Sequence, residues 1–215
     1  MCGRYELKAT ARDLTRHFQQ LRLGPRDMPR SEEISPMDPV LILSRRSEGY
    51  FGSNARWGLV GQFLDAEPHS PITTLRAEGL VTTPFYSKIL KQKRCLIPAT
   101  AFFEWQNPVG DTRQKIRISH PKGAPLMLAG VFDHHPQAGT TCAILTTEAN
   151  TSLQPLQPRM PLVLTQEECT FWLQEHAEFP STEFAAIIQP SSRCALKLET
   201  VDEEEYSPQL LLAFA

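Results

Sequence analysis

The feature that most constrains this chain is a train of strand-like runs from Arg94 onward, with no helix-period segment among them. "RCLIPA", "AFFEWQ", "QKIRIS", "PLMLAGVFD" and "TCAILTTEA" follow one another, separated by turn residues. Short runs rich in β-branched and aromatic residues, bounded in this way, read as strands. Upstream, "PVLILS" after Pro39 has the unbroken apolar character of a buried strand, and "YFGSNARWGLV" is expected to pair near it. Helical periodicity is confined to a few places. Ala11 to Leu21 is expected to be a helix, because Thr10 can cap it with Asp13 three residues later and Leu14, Phe18 and Leu21 share one face. Tyr86 to Lys93 and Gln166 to about Glu175 are the other two helices, while "PRMPLVLT", "AAIIQP" and "CALKLETV" continue the strand-rich pattern. Strands with a few helices, and without regular βαβ alternation, imply an α+β fold with a curved, barrel-like, mostly antiparallel sheet. The 18 prolines, spread along the chain, fit short elements joined by ordered turns. The loops Gln62 to Pro71 and Asn107 to Thr112 are expected to be exposed.

A length of 215 residues with 41% hydrophobic content supports one sizeable core, read as a single domain over residues 1–215. No stretch of 18 apolar residues exists to span a membrane, and the N-terminus lacks the basic and apolar segments of a secretory signal. Five cysteines, an odd number with no close pairs, argue against a disulfide framework and against a C-x-x-C zinc site. A reducing cytoplasmic compartment, no metal and no cofactor are therefore expected. The net charge of −2 excludes a global basic field for duplex DNA. Charge is uneven, however. "SKILKQKR" (Ser87 to Arg94) holds four cations and no anion, and reads either as a phosphate track or as a solvated helix face. "DEEE" (Asp202 to Glu205) reads as solvated surface. His120, His134 and His135 fall in loop-like surroundings, and His17 and His176 on helices. None has a partner at metal-ligand spacing, so none is assigned to a site. Trp57 and Trp172 are compatible with either the core or an exposed stacking role.

Three stretches carry chemistry. "MCGRYELKAT" places Cys2 directly behind the initiator methionine. With Met1 removed, Cys2 carries an α-amine and a thiol with ordinary pKa values of about 7.7–8.0 and about 8.5. Such a 1,2-aminothiol condenses with aldehydes: the amine forms a Schiff base and the sulfur closes it to a thiazolidine. The plainer reading makes Cys2 a small apolar residue near the start of a strand. In "AFFEWQ", period two puts Ala101, Phe103 and Trp105 on one face and Phe102, Glu104 and Gln106 on the other. Desolvation in such a strand would raise Glu104 toward general acid–base range, whereas a solvent-facing or arginine-paired carboxylate is the plain alternative. "TTLRAEGL" sets Arg76 and Glu78 on one face if extended, as an ion pair would be. In "PRMPLVL", stiff backbone aims Arg159 at a phosphate or a carboxylate.

"MCGR", "WGL" (Trp57 to Leu59), "LRAE" (Leu75 to Glu78), "RCLIPATAFFEW" (Arg94 to Trp105) and "RMPLVL" (Arg159 to Leu164) occur in this order, and together the chain resembles the SOS-response-associated peptidase family, the abasic-site-processing proteins. The resemblance implies a monomeric α+β protein, cytoplasmic and nucleoid-associated, whose partner is single-stranded DNA containing abasic sites. It implies that Cys2 forms a thiazolidine DNA–protein crosslink with the ring-opened deoxyribose aldehyde, and that Glu104 shuttles protons during Schiff-base formation. Arg76 would contact DNA phosphates, with Gly3, Arg4 and Arg159 in matching motifs that bind phosphate or support the site. The sequence departs from the family pattern at three of these places. Thr74 stands where the N-A-R-x-E motif has asparagine, Gln157 where H-x-R-M-P has histidine, and Pro84 where a basic residue is expected. "EEISPMDPVLIL" likewise lacks the family's asparagine before the strand. Glutamine hydrogen-bonds but does not titrate, so Gln157 cannot supply acid–base chemistry. Two other functions fit the same residues: an N-terminal-cysteine hydrolase or peptidase, and a descendant that binds single-stranded DNA without covalent chemistry.

Overall fold

The computed structural model describes residues 3–18, 21–24, 31–80, 83–106, 114–175, 180–189 and 195–201. In chain order the elements are β1 (Arg4–Leu7), α1 (Ala11–His17), β2 (Leu21–Arg22), β3 (Ser31–Ile34), β4 (Pro39–Arg46), β5 (Gly49–Trp57), β6 (Thr74–Arg76), α2 (Ala77–Leu80), α3 (Pro84–Gln92) and β7 (Arg94–Ala99). They continue with β8 (Ala101–Gln106), β9 (Gln114–Ser119), β10 (Leu126–His135), β11 (Gly139–Glu148), β12 (Arg159–Pro161), β13 (Val163–Leu164), α4 (Gln166–Leu173), α5 (Ser181–Ile187) and β14 (Lys197–Val201).

The strands form two sheets. One is wholly antiparallel, in the order β14-β9-β8-β1-β3. The other runs β12-β11-β10-β7-β4-β5-β2, with β13 added to β10 and β6 to β11. It curls until β5 pairs in parallel with β11, Arg56 against Thr141 and Trp57 against Cys142. Strands β11, β10, β7, β4 and β5 thus close into a ring, the barrel-like sheet that the strand train implies. The apolar runs inside it are buried on both faces: every residue of β7 is buried, as are Val40 to Ser44 of β4. A glycine makes the turn out of β5 possible. Gly58 has φ +147, and a Cβ there would meet Met37 Sδ at 3.1 Å and Pro71 Cβ at 3.2 Å.

Register assigns the two faces of the five-stranded sheet. Tyr5 lies opposite Phe102, Phe102 opposite Ile118, and Glu104 opposite Ile116, so these side chains point inward together. Tyr5 meets Trp57 of β5 edge-on, with ring centroids 5.4 Å apart, which fastens one sheet to the other. The Trp57 indole N–H donates to Thr73 O at 2.9 Å. The outward face is a charged lattice. Glu33 accepts from Arg4 Nε at 2.9 Å and from the Lys115 ammonium, and that ammonium lies 4.2 Å from the Phe103 ring centroid. Arg117 pairs with Glu6 and Glu199. Burial acts to raise the Glu33 carboxyl, but the hydrogen bonds and charges of Lys115 and Arg4 win and hold it below its ordinary value.

Several expectations are corrected. Helix α1 ends at His17, because Phe18 turns extended (φ −132, ψ 99), and Leu21 falls on β2. The expected apolar face survives across both elements, since Leu14, Phe18 and Leu21 are all buried. The Thr10–Asp13 capping box is present. "AAIIQP" is not a strand: its first three residues end α5, where Phe184, Ile187 and Ile188 are buried at helical spacing. His135 is not in a loop but fully buried at the end of β10. Its Nδ1 faces the backbone N–H groups of Gln137 and Ala138, and Nε2 lies 3.0 Å from Leu64 O. Trp57 and Trp172 are both core residues.

The basic segment also resolves into unlike parts. Arg94 is buried and donates to Leu90 O and Lys91 O at the end of α3, and to Trp172 O and Gln174 O at the end of α4. It satisfies carbonyls that helix ends leave over and sits at the negative pole of both helices. Burial pushes its pKa down to about 10, so it stays charged at neutral pH. Lys93 is tied to Asp133 and to Gln62 Oε1 at 2.9 Å. Only Lys91 among these three is exposed. Cys95, Cys142 and Cys169 are buried free thiols, and burial pushes Cys95 and Cys142 well up. Among the described residues no group of three or more His, Cys, Asp or Glu is placed to hold a metal, and no helix is long and apolar enough to cross a membrane. The Gln62–Pro71 loop is largely exposed. Asn107–Thr112, "DEEE" and His176 lie outside the described residues.

Candidate functional site

The candidate residues fall on the inward face of the five-stranded sheet and on β6 and β12 of the barrel, two parts that Tyr5 and Trp57 join. Alternation along β8 turns Glu104 inward beside Phe102, and it is only 3% exposed. Burial raises its carboxyl above the ordinary range, as the placement in "AFFEWQ" requires. Extending the Arg4–Phe103 and Tyr5–Phe102 register by one position sets Gly3 against Glu104. Gly3 has no side chain, so nothing from that position covers the carboxyl. Arg4 points to the opposite, outward face and is engaged by Glu33. Cys2 lies outside the described residues.

The other wall comes from the barrel. Strand β6 pairs in parallel with β11, Thr74 against Ile144 and Arg76 against Thr146, which sets Thr74 and Arg76 on the face that carries Trp57. Arg76 is exposed and has no ion-pair partner among the described residues. It does not pair with Glu78, because the chain turns from strand to helix at Ala77 and the two side chains diverge. Glu78 instead takes both ends of the Arg159 guanidinium, Nη1 to Oε1 and Nη2 to Oε2 each at 2.8 Å. Arg159 also donates to Thr146 O at 2.7 Å. This forked pair spans β12 and α2 and fixes the guanidinium plane. Burial acts to raise Glu78, but Arg159 outweighs it and holds the carboxyl below its ordinary value. Gln157 sits half-buried just before β12, in a turn held by its N–H to Leu153 O and by Asn150 Oδ1 accepting from Leu153 N–H. Pro84, where a cation was expected, opens α3, a position that tolerates the missing N–H.

The Tyr5–Trp57 contact joins the sheet that carries Gly3 and Glu104 to the barrel that carries Thr74, Arg76, Arg159 and Gln157, and this junction is the candidate mouth, while Arg4 stands on the sheet's other side. Sequence reasoning missed the Tyr5–Trp57 contact that joins the two sheets, although Tyr5 shares the period-two face of Gly3. It also missed Glu78 as the holder of Arg159, and no local signal could have shown a partner 81 positions away. The shielded Glu104 carboxyl can exchange protons, and the exposed Arg76 guanidinium can hold an anion.

An α+β fold of this kind is known in solved structures. A crystal structure of a protein from Bacteroides thetaiotaomicron superposes with a TM-score of 0.79 over 96% of each chain, at 21% identity. The model of the family described as SOS response associated peptidase (SRAP) matches residues 1–205, and the chain belongs to that family. Among its relatives, the abasic site processing protein YoaM of Bacillus subtilis is 28% identical over 179 residues, covering 80% of this chain and 79% of that protein. The abasic site processing protein YedK of Escherichia coli is 27% identical over 197 residues, covering 86% of each.

Proposed function

We propose that this chain captures abasic sites in single-stranded DNA as a covalent thiazolidine on Cys2, once Met1 has been removed. The observation that carries the proposal is the inward, shielded Glu104 facing side-chain-free Gly3, one peptide unit (about 3.8 Å between Cα atoms) from Cys2. The names of the relatives point to the same substrate.

In the reaction, the Cys2 amine adds to the aldehyde carbon of the ring-opened deoxyribose. Loss of one water gives the Schiff base, and the thiol sulfur then adds to the imine carbon while its proton passes to nitrogen. The net change is aldehyde plus aminothiol to thiazolidine plus water. A carboxyl whose pKa is raised suits both duties, protonating the departing hydroxyl and taking a proton from the entering nucleophile. Arg76 is free to hold a phosphate, and Arg159, fixed by Glu78, positions the β12 side of the mouth. Thr74 and Gln157 offer hydrogen bonds but no titratable group, so crosslinks form and reverse slowly. Gly3 provides the clearance and Arg4 an outward-facing cation. All these groups come from one chain, so a monomer of residues 1–215, one domain, suffices to act on DNA at a cytoplasmic nucleoid.

The test is a denaturing gel of Met1-processed protein with single-stranded DNA bearing one abasic site. A shifted band that Cys2→Ala abolishes is the expected result. Salt-sensitive binding untouched by Cys2→Ala, with no shifted band, would establish instead the non-covalent binder, which the presence of Thr74 and Gln157 favours.

A further inference from the structure

We infer that the far end of the barrel carries a second contact for the same DNA strand, built from the β4–β5 hairpin, β2 and the end of α3. The inference rests on the function proposed above. Arg22 on β2 and Arg46 on β4 flank β5 from either side, and both place their guanidinium over the Phe51 ring, 5.4 and 5.0 Å from its centroid. Arg45 lies 6.0 Å from the Tyr50 ring centroid. Next to it is a hollow of about 330 Å³ lined by Arg45, Lys91, Gln92, Arg94, Leu173 and Glu175. Arg22, Arg45, Arg46 and Lys91 are all exposed, against two carboxylates: Glu48, 3.4 Å from Arg22, and Glu175 in the hollow. The guanidinium of Arg94 is committed to helix carbonyls and takes no part.

Alternation puts Arg22, Arg46 and Phe51 on one face of the hairpin and Arg45, Tyr50 and the hollow on the other, so the cations collar the end of the hairpin from both faces, held to its rings by cation–π contact. Such a patch suits a polyanion rather than a single carboxylate. Its position suits the strand already at the mouth. Phe51 lies six residues before the buried Trp57, which meets Tyr5 beneath the Gly3–Glu104 side of the site, a span of about 20 Å at strand rise. That distance is about six stacked phosphate spacings. A long strand held by its abasic site thus reaches the patch, and a very short one does not.

The test compares a 25-nucleotide single strand with a pentamer, each carrying a central abasic site, on the R45Q/R46Q/K91Q variant and the parent chain. Binding is measured across a salt series and crosslinking at saturating DNA. Losing three phosphate contacts should weaken 25-mer binding at least tenfold at about 50 mM salt and flatten the slope of log K against log salt by about 2. Pentamer affinity and crosslink yield should not change. The charge-keeping variant R45K/R46K should bind the 25-mer within a few-fold of the parent. Equal 25-mer affinity and slope in parent and triple variant would overturn the patch, as would an equal loss on the pentamer. Neither result bears on crosslinking by Cys2, and absence of a crosslink in the parent leaves the length-dependent binding difference readable.

Discussion

Arg94 and Arg159 stand at opposite ends of the barrel, and each is a guanidinium committed to several acceptors. At the far end Arg94 donates to the neutral carbonyls that end α3 and α4. Close by, Lys93 is neutralised by Asp133. These two charges are settled by the fold itself, and their business is to hold helices onto strands. At the mouth Arg159 is held by a carboxylate that is itself 42% exposed, Arg76 faces solvent, and burial disfavours the charge on Glu104. Arg94 and Lys93 differ from the groups at the mouth in whether folding alone accounts for their charges.

The sharpest way to break that contrast is Glu104→Gln. It removes the proton exchange and should slow crosslinking by about 10²–10⁴-fold, followed as the rate of appearance of the shifted band. Stability should move the other way. Because the folded-state value of Glu104 is raised, the folded protein binds the proton more tightly than the unfolded chain. Stability therefore falls as pH rises from the ordinary glutamate range through the folded value. The glutamine variant escapes this loss, and its Tm at neutral pH should exceed the parent's. A variant both slower and less stable would mean that Glu104 is structural.

Arg94→Ala should act in the opposite sense. It leaves four carbonyls without their donor, two of them buried, and should cost about 3–5 kcal/mol, a Tm drop of roughly 6–20 °C. Crosslinking at a temperature where the variant stays folded should be within a few-fold of the parent. Arg94→Lys should recover only part of the loss, since one ammonium cannot reach the carbonyls of two helices.

Much of this contrast was legible before any coordinates, and the reasons differ by residue. The period-two reading of "AFFEWQ" put Glu104 on a face opposite Phe103 and Trp105, and register bears that out. Alternation is a local property, so one sequence suffices to see it. "SKILKQKR" misled because burial is not local. Arg94 differs from Lys91 only in where α4 ends, and nothing within the segment records that. The pairing of Arg159 with Glu78 rather than Glu78 with Arg76 was hidden for the same reason. The strand-to-helix turn at Ala77 decides it, and "LRAEG" carries no strong stop or start signal. The closing of β5 onto β11 is likewise a long-range pairing, foreseen only as barrel-like curvature.

Glu78→Gln tests how far the mouth depends on its forked ion pair. Glu78 is substantially exposed, so the expected loss is only about 1 kcal/mol at neutral pH. Its folded value is depressed, so the contribution is present above the ordinary value near 4.5 and disappears as pH falls through the folded value. Parent and variant should therefore converge in Tm on acidification below about pH 4.5 and differ most above it. Arg159, released from its partner, should also bring a steeper salt dependence to DNA binding.

The smallest effect expected is also the most specific to this chain. Gln157 occupies a turn already held by backbone bonds and by Asn150, so replacing it disturbs little that folding needs. Gln157→His adds a group that titrates near neutrality beside a mouth whose other carboxyl titrates higher than usual. Formation or reversal of the crosslink should quicken several-fold, with a new inflection in the pH–rate profile between about pH 6 and 7. The same substitution in a Glu104→Gln background separates the two roles. Recovery of the inflection there would mean that the histidine carries protons by itself. A gain seen only with Glu104 intact would mean that it relays them, and a flat profile in both would leave position 157 with hydrogen bonding alone.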